Sequence, residues 1–291
     1  MYKRQIQELS LSGGSNNISG FGSSGITTFL GGIGGNDTID ASTATFPILV
    51  NESGSSLGDY LTASTVTGAA STLIGSSVGG NTFTVSSTLG GMAVGGTGSD
   101  TLNLSTAGNY TDTLFANDRS IEILQLTSNS AVTLGGNALS AGIATVVGGS
   151  GSDTINSSST LNGGFTKGLF IDTSANTLSA SSYTGGVGND TIKVANATVL
   201  NSSTVNGGAG VNILQVAASG SVITGLGNHV SRIQELSLSG GSNNISGFGS
   251  SGITTFLGGI GGNDTIDAST ATSPVLINES GSSLGLSLIH I

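Results

Sequence analysis

Residues Ile6 to Gly58 recur as Ile233 to Gly285, 227 positions later, and the two 53-residue copies differ at three places: Phe46 against Ser273, Ile48 against Val275, and Val50 against Ile277. A chain that repeats itself this closely must give the same residues equivalent surroundings twice. Stacked units that bury their faces on one another meet that demand, and an irregular globule does not. A more divergent copy begins at Ile121-Glu122-Ile123-Leu124-Gln125-Leu126, which follows Ile6-Gln7-Glu8-Leu9-Ser10-Leu11 in its alternation. The super-repeat is therefore 115 residues and then 112. This divides the chain into repeat unit 1 (6–120), repeat unit 2 (121–232) and a truncated repeat unit 3 (233–285). The flanking stretches 1–5 and 286–291 fall outside the identity and read as non-native residues bordering a fragment.

Within each unit, short period-2 runs rich in Val, Ile, Leu and Thr alternate with Gly, Asn and Ser clusters about every ten residues. These are strand and turn signals, and no helical periodicity accompanies them. Gly contributes 50 residues and charged residues 8%, against about 25% charged in ordinary soluble domains. Disorder is disfavoured, since disordered chains combine low hydrophobicity with the charge density this sequence lacks. Two prolines in the whole chain leave strand ladders uninterrupted. The expected fold is all-β: a right-handed parallel β-solenoid, β-helix or β-roll-like, with several rungs in each repeat of about 112 to 115 residues.

Sixteen acids against six bases give a net charge of −10. Nucleic acid is an unsuitable partner, because phosphate binding needs clustered Lys and Arg. Without cysteine there is no disulfide framework, thiolate metal site or cysteine nucleophile. No run approaches the ~18 apolar residues of a membrane span, and the start has no apolar signal core. Export would use a signal outside this sequence.

The most specific motif is Gly-Gly-x-Gly-x-Asp-x-hydrophobic. It occurs at Gly95-Gly96-Thr97-Gly98-Ser99-Asp100, Gly148-Gly149-Ser150-Gly151-Ser152-Asp153 and Gly185-Gly186-Val187-Gly188-Asn189-Asp190. In this the chain resembles the RTX family of secreted calcium-binding repeat proteins. It resembles more closely the long β-strand-repeat members, which include surface-layer proteins and adhesins, over most of residues 6 to 285. The resemblance implies Ca²⁺ as cofactor, with Asp100, Asp153 and Asp190 as carboxylate ligands and Gly96, Gly98, Gly149, Gly151, Gly186 and Gly188 as carbonyl donors. Asp37 and Asp264 are weaker candidates, because Gly31 to Asp37 and its copy Gly258 to Asp264 hold one extra residue. Gly207 to Asn212 has Asn where the motif has Asp.

The Gly-Gly starts are separated by 64, 53, 37, 22 and 51 residues, unlike successive nonapeptides, so completing a site requires one long rung's turn to stack on another. The competing account is that these are plain solenoid corners, where Gly supplies positive φ and Asp caps the turn.

Catalytic residues are not expected. A Ser-His-Asp triad has only His229 and His290 to draw on, and His229 reads as an exposed turn residue. Asp37 and Asp40, three apart on a strand, face opposite ways. Arg119 and Arg232 read as surface ion-pair partners of Glu122 or Glu235. The functional expectation is a non-enzymatic structural or adhesive protein of the bacterial surface or extracellular space, a surface layer, adhesin stalk or matrix, stabilised by Ca²⁺. Its partners would be copies of itself, other surface proteins or glycans. The alternatives are a calcium-independent structural solenoid and the non-catalytic part of a β-helix polysaccharide-active enzyme.

Overall fold

The computed structural model describes residues 6–20, 22, 24–63, 70–86, 91–127, 129–177, 179–259, 261–278 and the backbone of 287–289. The proposed non-native stretch 1–5 lies outside the described residues, as do 286, 290 and 291 of the other end. The fold is an all-β parallel β-solenoid of about 12 turns, 9% helical, and divides into two compact units. One comprises Met1–Thr127 with Asn137–Ile143, the other Ser128–Gly136 with Ala144–Ile291.

In the first unit two parallel sheets alternate along the chain. One holds Glu8–Ser10, Thr28–Leu30, Leu49–Asn51, Thr72–Ile74 and Met92–Val94. The other holds Asn17–Ile18, Thr38–Asp40, Tyr60–Thr62, Thr82–Val85, Thr101–Leu104 and Ile123–Gln125. The register stacks like positions. Phe29, Val50, Leu73 and Ala93 form one buried row, and Ile39, Leu61, Phe83, Leu102 and Leu124 the other. The three-residue strands bury their middle residue between two half-exposed ones, as in Thr38-Ile39-Asp40 and Leu49-Val50-Asn51. Such a strand is stable only when the next rung covers it.

In the second unit a seven-stranded parallel sheet runs through Thr145–Val147, Phe170–Thr173, Thr191–Val194, Ile213–Val216, Glu235–Leu238, Thr255–Leu257 and Leu276–Asn278. Its strands alternate first with Ala131–Thr133, Thr154–Asn156, Ser182–Thr184, Thr204–Asn206 and Val230–Ser231. They then alternate with Val222–Ile223, Asn244–Ile245, Thr265–Asp267 and Ser287–Ile289. The change of sheet takes place within one rung, where Val222–Ile223 opens the new sheet before a 3₁₀ turn, Leu226–Asn228, and Val230–Ser231 closes the old one. Just before two repeat boundaries a non-glycine residue takes a left-handed conformation: Ser120 (φ 54°) and Arg232 (φ 55°). Each delivers the following Ile121 or Ile233 into the core.

Two corners are closed by short helices, Gly136–Ala141 and Ala197–Ser202. Six residues are too few to show a helical period. The second helix did carry a start signal: Asn196 caps it by accepting the Val199 N–H at 2.9 Å. The reading of Arg119 is corrected, since its guanidinium donates to the carbonyls of Ala116 and Asp118. Among the described residues the ion pair is Lys193 with Asp172, at 3.0 Å across neighbouring rungs. His229 is half-buried, and burial lowers its pKa.

Candidate functional site

The chemistry-bearing residues gather at the corners. In the first unit, a polar side chain just before a strand accepts the backbone N–H of the equivalent residue one rung earlier. Asn16 N donates to Asp37 Oδ1 (2.7 Å), Asp37 N to Asp59 Oδ1 (2.9 Å), Asp59 N to Asn81 Oδ1 (3.0 Å), Asn81 N to Asp100 Oδ1 (2.7 Å) and Asp100 N to Glu122 Oε2 (2.8 Å). The second unit builds the same device three times. One ladder runs from Leu169 N through Asp190 and Asn212 to Gln234. Another runs from Ser130 N through Asp153 and Ser181 to Ser203. The third runs from Ser221 N through Asn243 to Asp264. Corner N–H groups fall outside the strand ladders and would otherwise be buried without partners; Asp, Asn, Gln, Glu and Ser supply acceptors from the following rung.

Each full Gly-Gly-x-Gly-x-Asp turn links a strand of one sheet to a strand of another. Its Asp uses both oxygens. Oδ1 takes the N–H of the preceding rung, and Oδ2 takes the N–H of the motif's own second glycine: Gly96 to Asp100 (3.1 Å), Gly149 to Asp153 (2.8 Å) and Gly186 to Asp190 (3.0 Å). The first glycine lies beneath the carboxylate. A β-carbon at Gly95 would stand 2.5 Å from Asp100 Oδ2, and one at Gly148 would stand 3.0 Å from Asp153 Oδ2. The third glycine passes close to the rung before, Gly98 against Gly79, Gly151 against Asn129 and Gly188 against Gly168. Burial pushes Asp190 up to about 6 and raises Asp153, in each case against the N–H bonds that favour the charged form.

Gly95–Asp100 packs against the Gly75 to Asn81 corner. In the second unit the two full turns do not stack on each other: Gly148–Asp153 leaves the seven-stranded sheet and Gly185–Asp190 enters it. The turn that does stack on Gly185–Asp190 is the Asn variant Gly207–Asn212, through Ala209 N to Gly186 O and Val211 N to Asn189 Oδ1, both 2.9 Å. Asp100, Asp153 and Asp190 each use both carboxylate oxygens as acceptors for backbone N–H groups. Among the described residues no three His, Cys, Asp or Glu side chains converge on one point.

The extended turn Gly31–Asp37 differs. Asp37 Oδ1 serves the ladder, but Oδ2 has no hydrogen-bond partner, and the same holds for Asp264 in the copy. The place beneath the carboxylate at the first glycine, Gly31, is taken by Glu52 from the following rung. Glu52 is fully buried, and neither Oε1 nor Oε2 has a partner. Burial first, then the charge of Asp37, pushes Glu52 up to about 8. Sequence reasoning passed over Glu52, because Asn51-Glu52-Ser53 in a Gly- and Ser-rich corner resembles solvated turn. Its one signal is retention as Glu279 in the second copy.

The fold and corner ladders define the class: a parallel β-solenoid repeat protein. Compared with protein-family models, curated proteins and solved structures, the chain matches none.

Proposed function

We propose that this chain is a structural or adhesive segment of a secreted or surface-displayed protein, in which extracellular Ca²⁺ raises the stability of the folded form. The observation that carries the structural part is the corner ladder. Buried Asp, Asn and Ser side chains, with the half-buried Glu122 and Gln234, join each rung to the next, so the polar chemistry of the corners serves stacking. Support for the calcium part is the acidic composition and the group of buried carboxylate oxygens without donors at Asp37 and Glu52. Because metal-binding free energy adds to folding free energy, a solenoid of this kind would tighten on reaching a calcium-rich exterior.

The test is a far-UV circular dichroism melt of the full chain, in excess chelator and in millimolar calcium. A melting temperature that rises with calcium supports the reading. Identical cooperative melts would favour the second reading, a calcium-independent structural solenoid, to which the self-sufficient turns of Asp100, Asp153 and Asp190 lend weight. Ordered two-dimensional arrays in the electron microscope would then point to a surface layer. Binding of dispersed protein to cells or glycans would point to an adhesin.

A further inference from the structure

We infer that the corner where Glu52 meets Asp37 is a divalent-cation site, with Glu52 as a two-oxygen ligand and Asp37 Oδ2 as the third oxygen. The inference rests on the calcium-stabilised reading and moves the site away from the three full turns.

Three buried carboxylate oxygens stand here without a donor, Asp37 Oδ2, Glu52 Oε1 and Glu52 Oε2, and the Glu52 and Asp37 carboxyls are within hydrogen-bonding reach of each other. Buried anionic oxygens need a counter-charge or a proton. One proton shared by the pair makes one hydrogen bond, satisfies two oxygens and leaves the third buried and unmet. A hard cation that prefers oxygen ligands, such as Ca²⁺, takes all three at once, because carboxylates bind it through one oxygen or two. The groups whose charge acts on Glu52 are acids, Asp37 and then Asp59. Asp59 has its own donors, the N–H groups of Asp37 and Ser76.

The local backbone is shaped around the Glu52 carboxylate. A β-carbon at Gly31 would overlap Glu52 Oε2, so glycine there keeps the place open for it. The extra residue in Gly31–Asp37 makes the arrangement possible. In the shorter turns the motif's own Asp lies over the first glycine and bonds the second. In the longer turn Glu52 takes that position, and one Asp37 oxygen is left over. The second copy keeps Gly258, Asp264 and Glu279 while Phe46, Ile48 and Val50 change. Glu279 lies outside the described residues, and Asp264 Oδ2 again has no partner.

Calcium binding to the full chain is measured by titration calorimetry, beside thermal melts with and without calcium. The variants are Glu52→Gln, Glu52→Gln with Glu279→Gln, and Asp190→Asn. Glutamine keeps the size of Glu52 and removes its charge. The single Glu52→Gln variant should lose about one bound calcium per chain, and the double variant should lose at least about tenfold in affinity together with the calcium-dependent rise in melting temperature. Asp190→Asn should keep the wild-type stoichiometry. If the double variant binds as wild type does, this site is overturned while the calcium reading stands. If the wild-type chain binds none and Glu52→Gln melts higher than wild type in chelator, the pair holds a proton, and both the site and the calcium reading fall.

Discussion

Gly185 has no room for a β-carbon, which would overlap both Asp190 Oδ2 and the carbonyl oxygen of Gly207. Gly54 is the contrast: the nearest atom to a β-carbon there is Gly32 O at 3.7 Å, an ordinary contact. Gly185→Ala is therefore expected to cost about 1–3 kcal/mol by overpacking, and Gly54→Ala to stay within about 0.5 kcal/mol of wild type. Denaturant midpoints decide it, and equal shifts in the two variants would refute the packing account of the motif. Asp118 supplies a second test. Burial pushes it up to about 6, against the Ala93 N–H and the charge of Arg119. A carboxyl raised above its unfolded value holds its proton more tightly when folded. Its contribution is whole at pH below about 4 and is lost as pH rises through about 6. Asp118→Asn keeps an acceptor for Ala93 and removes the titration, so stability should depend less on pH across that window; an unchanged slope would place the titration elsewhere. The glycine and Asp positions of the motif were legible because glycine is needed wherever a carboxylate or neighbouring rung passes this close. The partners of Asp100 and Asp190 were not legible. They are backbone N–H groups 19 and 21 residues earlier, at Asn81 and Leu169, and a backbone donor leaves no mark on the sequence.

At the level of the element, the short Thr- and Val-rich strands and their Gly corners follow from the alternation in the sequence, and the parallel solenoid follows from the repeats. The rung itself was hidden. Pairing offsets run from 19 residues, Thr82 to Thr101, to 28, Thr154 to Ser182, and varied rung lengths blur any short period beneath the 115- and 112-residue identity. The exchange of one side sheet for another at Val222–Ile223 was equally invisible, since those two residues look like any other strand. If the rung is the folding unit, removing one whole rung should be tolerated. Deleting 191–212 takes out Thr191–Val194 and Thr204–Asn206, one strand of the seven-stranded sheet and one of the sheet that ends at Val230–Ser231, and joins Asp190 to Ile213, so that the N–H of Asp190, freed from Asn212, meets Gln234 as its next acceptor. Circular dichroism should keep its β signal and a cooperative melt. Deleting 191–201 removes half a rung and brings a strand of the wrong sheet into line, and that protein should fail to fold. Equal behaviour of the two deletions would argue that rungs are not the unit of stability.

Across the whole molecule, the formal charge of −10 overstates what the surface carries. Of the 16 acids in the sequence, Asp37, Glu52, Asp59, Asp100, Asp112, Asp118, Asp153, Asp190 and Asp264 are buried at corners. Five acids have raised pKa values: Glu52 (about 8), Asp59, Asp118 and Asp190 (each about 6), and Asp153. Asp172 and Asp267 are lowered. Raised values outnumber lowered ones, so folding takes up protons between about pH 4 and 8, and stability in the absence of divalent cations falls as pH rises through that range. The same uptake sets the isoelectric point. In concentrated urea the chain should focus near the sequence value of 4.2, where every carboxyl titrates as in a free peptide. The folded chain, with Glu52, Asp59, Asp118 and Asp190 still protonated at that pH, should focus higher by several tenths of a unit in chelator. Parallel focusing gels with and without urea make the comparison directly. A native band at or below the urea band would mean that the corner carboxylates are charged in the fold, held by their N–H donors more strongly than burial opposes them.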